Sequence, residues 1–235
     1  MIKINFYHSL IFFNLCIFIS AFDYLRNNSL LILSLLLILS IGISHGSLDH
    51  VKGKKLLKIL GIKSSAIFYL GYIFIGLITI LIWLLFPKFL LLLFLIIAAF
   101  HFGKEDSEFI IKRKNFELIY FLKGSLVIVA PLVFHKEETL YIFKYLNFDI
   151  STNILINNEI LYLLILLSFI ANIILSLNRS FDTKSLLLMD FLSIIILNYF
   201  LNPILAFTVY FCFLHSIRHS ISLIQEINTN LKKGL

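Results

Sequence analysis

Residues Gly42–His50 read GISHGSLDH and close an apolar run that begins near residue 29. Behind them come Lys52, Lys54, Lys55, Lys58 and Lys63. An apolar run of about 20 residues is long enough to cross the bilayer core as a helix, and a basic cluster behind it marks the cytoplasmic side. The stretch leaves His45, Asp49 and His50 at the edge of a membrane segment. Ionisable groups there are costly and mark function.

Composition agrees with a membrane setting. The chain has 235 residues, 60% hydrophobic and only 14% charged, and its mean hydropathy is +0.99. A soluble domain carries about 25% charged residues, so this chain could not cover a water-facing surface. Lipid admits only helices and closed barrels. The apolar runs are continuous rather than alternating with period two, which excludes barrel strands. The expected fold is all-α, a polytopic helical bundle forming one transmembrane domain over residues 1–235.

Eight runs fit spans, at roughly 4–22, 29–49, 65–86, 88–103, 116–134, 159–178, 185–201 and 203–224; seven spans is the alternative. No A-x-A site follows the first run, so it reads as a retained span rather than a signal peptide. With the N-terminus cytoplasmic, fourteen Lys and Arg fall in inside segments and four in outside loops. That bias places both termini in the cytoplasm of a multi-pass plasma-membrane protein. The net charge of +7 is thus a topology signal, and no nucleic-acid partner is expected. Cys16 and Cys212 lie inside apolar runs and read as buried thiols.

The topology has a consequence. Spans 2, 4 and 8 all run from outside to inside, so His45 and His50, His101, and His215 and His219 share one depth near the cytoplasmic face. His215 and His219 are spaced i, i+4 and project from one helix face. A zincin needs Glu after the first histidine and here Ser216 follows, so that protease class is disfavoured. Asp49, one turn beyond His45, reads either as a partner for the ring N–H of a ligand histidine or as a solvated helix cap. His50 reads as an interfacial side chain. Glu105 and Asp106 beside Lys104 read as a solvated face, with Asp106 a candidate to orient a ligand. His8 and His135 lack companions in the sequence. Asp190 and Arg218 are intramembrane charges expected to pair or to touch the site.

The candidate ligands are His45, His101, His215 and His219. Four neutral imidazoles leave a divalent ion its full charge. Tetrahedral zinc would be closed there, whereas iron(II) of higher coordination keeps positions for dioxygen; affinity order alone does not choose iron over copper.

The segments GISHGSLDH, FHFGKED (Phe100–Asp106) and HSIRH (His215–His219), in this order on a polytopic chain, resemble the Brp/Blh family of bacterial and archaeal β-carotene 15,15′-dioxygenases. The patterns are HG-x-x-D, HFG-x-x-D and HS-x-RH. The resemblance implies iron(II) held by His45, His101, His215 and His219, with dioxygen splitting the central double bond of β-carotene into two retinals. It also implies that retinal passes to a rhodopsin. The chain departs from the pattern at Ser44, Ser47 and Ile217, where the family often carries Pro, Ala and Pro, which leaves the substrate range open. A carotenoid enzyme needs a dry apolar tunnel, for which Phe100, Phe102, Tyr210, Phe211 and Phe213 are candidates. The competing reading is a metal transporter using the same histidines, but such a protein should carry polar residues along a path to both faces. A desaturase-like di-iron enzyme would need about twice as many ligands.

Overall fold

The computed structural model describes residues 1–22, 30–46, 49–62, 64–111, 116–147 and 157–233. Side chains are described throughout these ranges except at 42–46, 49–52, 55, 65 and 225–233. No strand occurs among the described residues. The chain order is α1 (Ile2–Ser20), α2 (Leu31–Gly46), α3 (Asp49–Ile59), α4 (Ser65–Leu85), α5 (Pro87–Glu105), α6 (Glu117–Phe134), α7 (Lys136–Tyr145), α8 (Asn158–Ser176), α9 (Phe181–Phe200) and α10 (Pro203–Val209). A π turn (Tyr210–His215) and α11 (Ser216–Lys233) complete it.

Local sequence explains the boundaries. Pro87 and Pro203 sit at the starts of α5 and α10, where a missing N–H costs nothing. Asn157 and Asn202 cap α8 and α10, each side chain accepting from a first-turn N–H. The lysine-rich α3 follows α2 directly, as the basic cluster after the second apolar run requires.

Among the described residues seven helices are long and apolar enough to cross a membrane, the last running continuously over Pro203–Ile224. The seven-span alternative therefore matches the count by length and composition. The second run, expected over 29–49, forms only the sixteen residues of α2, about 24 Å at 1.5 Å per residue. It still belongs to the bundle, because α2 packs in turn against α10, the π turn and α11.

The bundle is built around α6, which packs against α5, α8 and α9, while α1 lies along α9. The closest approach is between α5 and α6. A methyl group on Gly103 would overlap the Tyr120 carbonyl, and one on Gly124 would overlap the Ala99 carbonyl. Only hydrogen in place of Cβ allows backbone to meet backbone there. By contrast α4 buries nothing within its span, as expected of Leu/Ile-rich filler facing lipid.

Candidate metal centre

Three of the four candidate ligands have described side chains, and the bundle sets two of them, His101 and His215, ring beside ring. His101 lies in the last turn but one of α5, His215 ends the π turn and His219 is one turn into α11. The His101 and His215 ring centroids are 5.2 Å apart at 70°. Imidazole nitrogens bind metals at about 2.0–2.1 Å, so two rings on adjacent positions of one ion stand about 5 Å apart. His101 is also within electrostatic reach of His219, Glu105 and Asp106.

What sets the ring orientations is the end of α5. Asp106 Oδ1 lies 3.1 Å from His215 Nδ1, and Glu105 Oε2 lies 2.9 Å from His219 Nδ1. A carboxylate can only accept, so in each neutral ring Nδ1 carries the proton and Nε2 the lone pair. Carboxylate on one nitrogen with the other turned to a metal is the arrangement ligand histidines adopt. The second oxygen of Asp106 accepts from the Tyr210 hydroxyl at 2.6 Å. Burial alone would raise the Asp106 carboxyl. Interaction with His215, including its hydrogen bond, and then the Arg218 and Lys123 side chains outweigh it and hold the acid below the usual carboxylate range.

A second polar layer lies behind the first. Arg218, fully buried, donates to both oxygens of Asp190 at 2.7 and 3.2 Å, and to the Asp106 backbone carbonyl at 3.3 Å. The two intramembrane charges therefore pair with each other rather than with the histidines.

A family model described as beta-carotene 15,15'-dioxygenase matches residues 36–234. The chain belongs to that family. No curated protein and no solved structure matches it.

For a β-carotene 15,15′-dioxygenase family member the neighbouring cavity matters as much as the histidines. A half-open cavity of about 230 Å³ lies between α5, α6, α7, α9 and α10. Phe102 and Tyr210 form its wall toward the histidines, while Thr139 and Phe143 of α7 also border it. The Phe102 ring meets His215 edge-on at 4.9 Å, so a single ring separates the cavity from the candidate centre.

The side chains singled out in the sequence lie in different surroundings. Of the five aromatics expected to line a tunnel, Phe100, Phe211 and Phe213 do not border this cavity. Phe100 packs around Ile110 and Leu186 and carries the Lys104 ammonium over its ring. Phe211 stacks on Phe207 and His215. Phe213 packs in the main core. Glu105, expected as solvated face, is a partner of His219. His8 does have a companion: its Nε2 lies 2.8 Å from the Phe213 carbonyl. No sequence signal points there, since the partner is a backbone group.

The side chains of His45, Asp49 and His50 lie outside the described residues. Among the described residues no three His, Cys, Asp or Glu side chains form a ready coordination group. Three imidazoles, two of them oriented by carboxylates, nevertheless fit a transition metal in donor chemistry. The helix that bears His45 packs against the π turn and α11.

Proposed function

We propose that the chain is a membrane-embedded iron(II) dioxygenase that cleaves the central double bond of β-carotene with O2, giving two molecules of retinal. The reaction is balanced without an external reductant: one C=C bond and one O=O bond break, and two C=O bonds form. The observation that carries the reading is the paired orientation of His215 and His219 by adjacent carboxylates, with the His101 ring beside them.

His45, His101, His215 and His219 would hold the iron, which when bound supplies the redox chemistry that dioxygen needs. Asp106 and Glu105 keep the Nδ1 protons in place. Arg218 and Asp190 hold α11 and α9 in register behind them. Phe102 and the ring of Tyr210 keep one side of the site apolar, which excludes water from reactive oxygen. The cavity of about 230 Å³ suits one half of a long hydrocarbon rather than all of it. An apolar cavity also serves a hydrocarbon better than a hydrated ion, against the transporter reading. Consistent with the positive-inside bias, the site would sit near the cytoplasmic face of the plasma membrane. By family likeness the retinal would pass to a rhodopsin.

The test is expression in cells that accumulate β-carotene. Retinal should form with the unaltered chain and vanish with His215→Ala. Retinal in neither culture, with both proteins present in the membrane, would refute the proposal for this substrate.

A further inference from the structure

The family match begins at residue 36, so α1 lies outside it. Yet α1 presses polar side chains against the site. Asn5 and Ser9 are fully buried, and His8 lies between them in sequence. In lipid an all-Leu helix would insert more easily, so a buried polar stripe on a span calls for a function.

Two contacts supply one. Ser9 Oγ donates to Asp190 Oδ1 at 2.7 Å and accepts from Arg218 Nη2 at 2.7 Å. It therefore closes a three-membered network, Ser9–Asp190–Arg218, across α1, α9 and α11. His8 Nε2 donates to the Phe213 carbonyl, and Phe213 stands in the π turn two residues before His215. A π turn holds one residue more than an α turn, which leaves a carbonyl unmet by the helix's own N–H groups. It also re-aims every side chain that follows. The turn that aims His215 is thus gripped by a side chain from α1, and Arg218, one residue before His219, by the next residue of α1.

We infer that α1 is the positioning strut of the metal centre. His8 holds the π turn that aims His215, and Ser9 holds the Arg218–Asp190 pair that aims His219. Both are positioning residues and neither touches the metal. The inference rests on the metal reading proposed above.

The experiment uses the full chain, purified in detergent, stripped of metal and titrated with cobalt(II). The ligand-field absorption reports both affinity and geometry. The unaltered chain should bind and His215→Ala should not. His8→Phe should weaken binding by about tenfold or more, the cost typical of lost outer-shell partners, and shift the absorption band. His8→Gln, whose amide N–H can replace Nε2–H, should restore both. In turnover, kcat for β-carotene should fall in His8→Phe while KM stays unchanged, because the cavity is untouched. A folded His8→Phe protein with unaltered cobalt affinity and spectrum would overturn the inference. Should that variant not fold, Ser9→Ala decides in the same titration by the same criterion. No cobalt band in the unaltered chain would overturn the metal reading itself, and this inference with it.

Discussion

Adding one methyl group at Gly103 should cost the protein far more in activity than in stability. Gly103 lies two residues after His101 and two before Glu105, on the stretch of α5 that meets α6. A Cβ there would stand 2.7 Å from the Tyr120 carbonyl carbon and 2.8 Å from the Gly124 nitrogen. Ordinary contact begins at 3.4 Å, so the helices must part by at least 0.7 Å, and the Tyr120 oxygen demands more. Every atom in the way is backbone, so no side chain can turn aside. His101, Glu105 and Asp106 all ride on α5 and move with it. A misplacement near 1 Å costs about 100-fold in rate, whereas overpacking costs about 1–3 kcal/mol of stability. Gly76→Ala on α4 is the control, since nothing lies within 4 Å of a Cβ there. Initial rates of retinal formation by the detergent-solubilised protein, set against thermal melting, separate the two effects. If Gly103→Ala keeps the unaltered rate, the close approach of α5 and α6 does not set the site.

The remaining expectations follow the polar layers outward and then the cavity. Asp106→Asn should weaken metal binding about 10–100-fold, measured by competition with a chelator; unchanged affinity would show that His215 needs no carboxylate. Asp190→Asn should cost about 3–5 kcal/mol by leaving Arg218 buried without its counter-charge. Combining Asp190→Leu with Arg218→Met should melt above either single change in detergent, and additive losses would count against the pairing. Val127→Phe narrows the 230 Å³ cavity and should lower kcat/KM for β-carotene by about tenfold or more, with cobalt affinity unaltered. An unaltered kcat/KM would move the substrate elsewhere.

How much of this was legible beforehand depends on whether the physics is periodic or local to the fold. In the eight-span reading, loop charges and run lengths give spans 4 and 8 one direction, and the structure sets the His101 ring beside that of His215. The pairing of Asp190 with Arg218 was legible because buried charges need partners. Glu105 was not. Beside Lys104 at a helix end it looks like any solvated acid, and only the crossing of α5 with α11 delivers it to His219. His8 was invisible for a deeper reason: its partner is a carbonyl, which every residue carries, 205 positions away. The π turn left no mark in the side-chain pattern either. Of the aromatics, adjacency to a histidine in sequence was a poor guide, since neighbours on a helix point to different faces. Phe102 borders the cavity, Phe213 packs against the same core without bordering it, and Phe100 packs in another cluster.

The carboxylates clarify what kind of site this is. Acids close to a metal are often ligands themselves, and Asp106 and Glu105 stand near enough to the histidines to raise the question. The hydrogen bonds answer it for Asp106. One oxygen accepts from His215 and the other from Tyr210, so each is engaged in a hydrogen bond inside the protein. Arg218 and Lys123 further lower its basicity toward any additional cation. An acid so occupied works by fixing a tautomer, and its charge is spent inside the protein. The proposed set of imidazole donors, neutral and of borderline softness, would suit a redox-active transition metal better than a hard ion such as magnesium or calcium. The same bookkeeping explains why the surrounding network is so large for a membrane protein. Each buried acid has a cation or hydroxyl beside it: Asp106 has the Tyr210 hydroxyl with Arg218 and Lys123 near it, and Asp190 has Arg218 and Ser9.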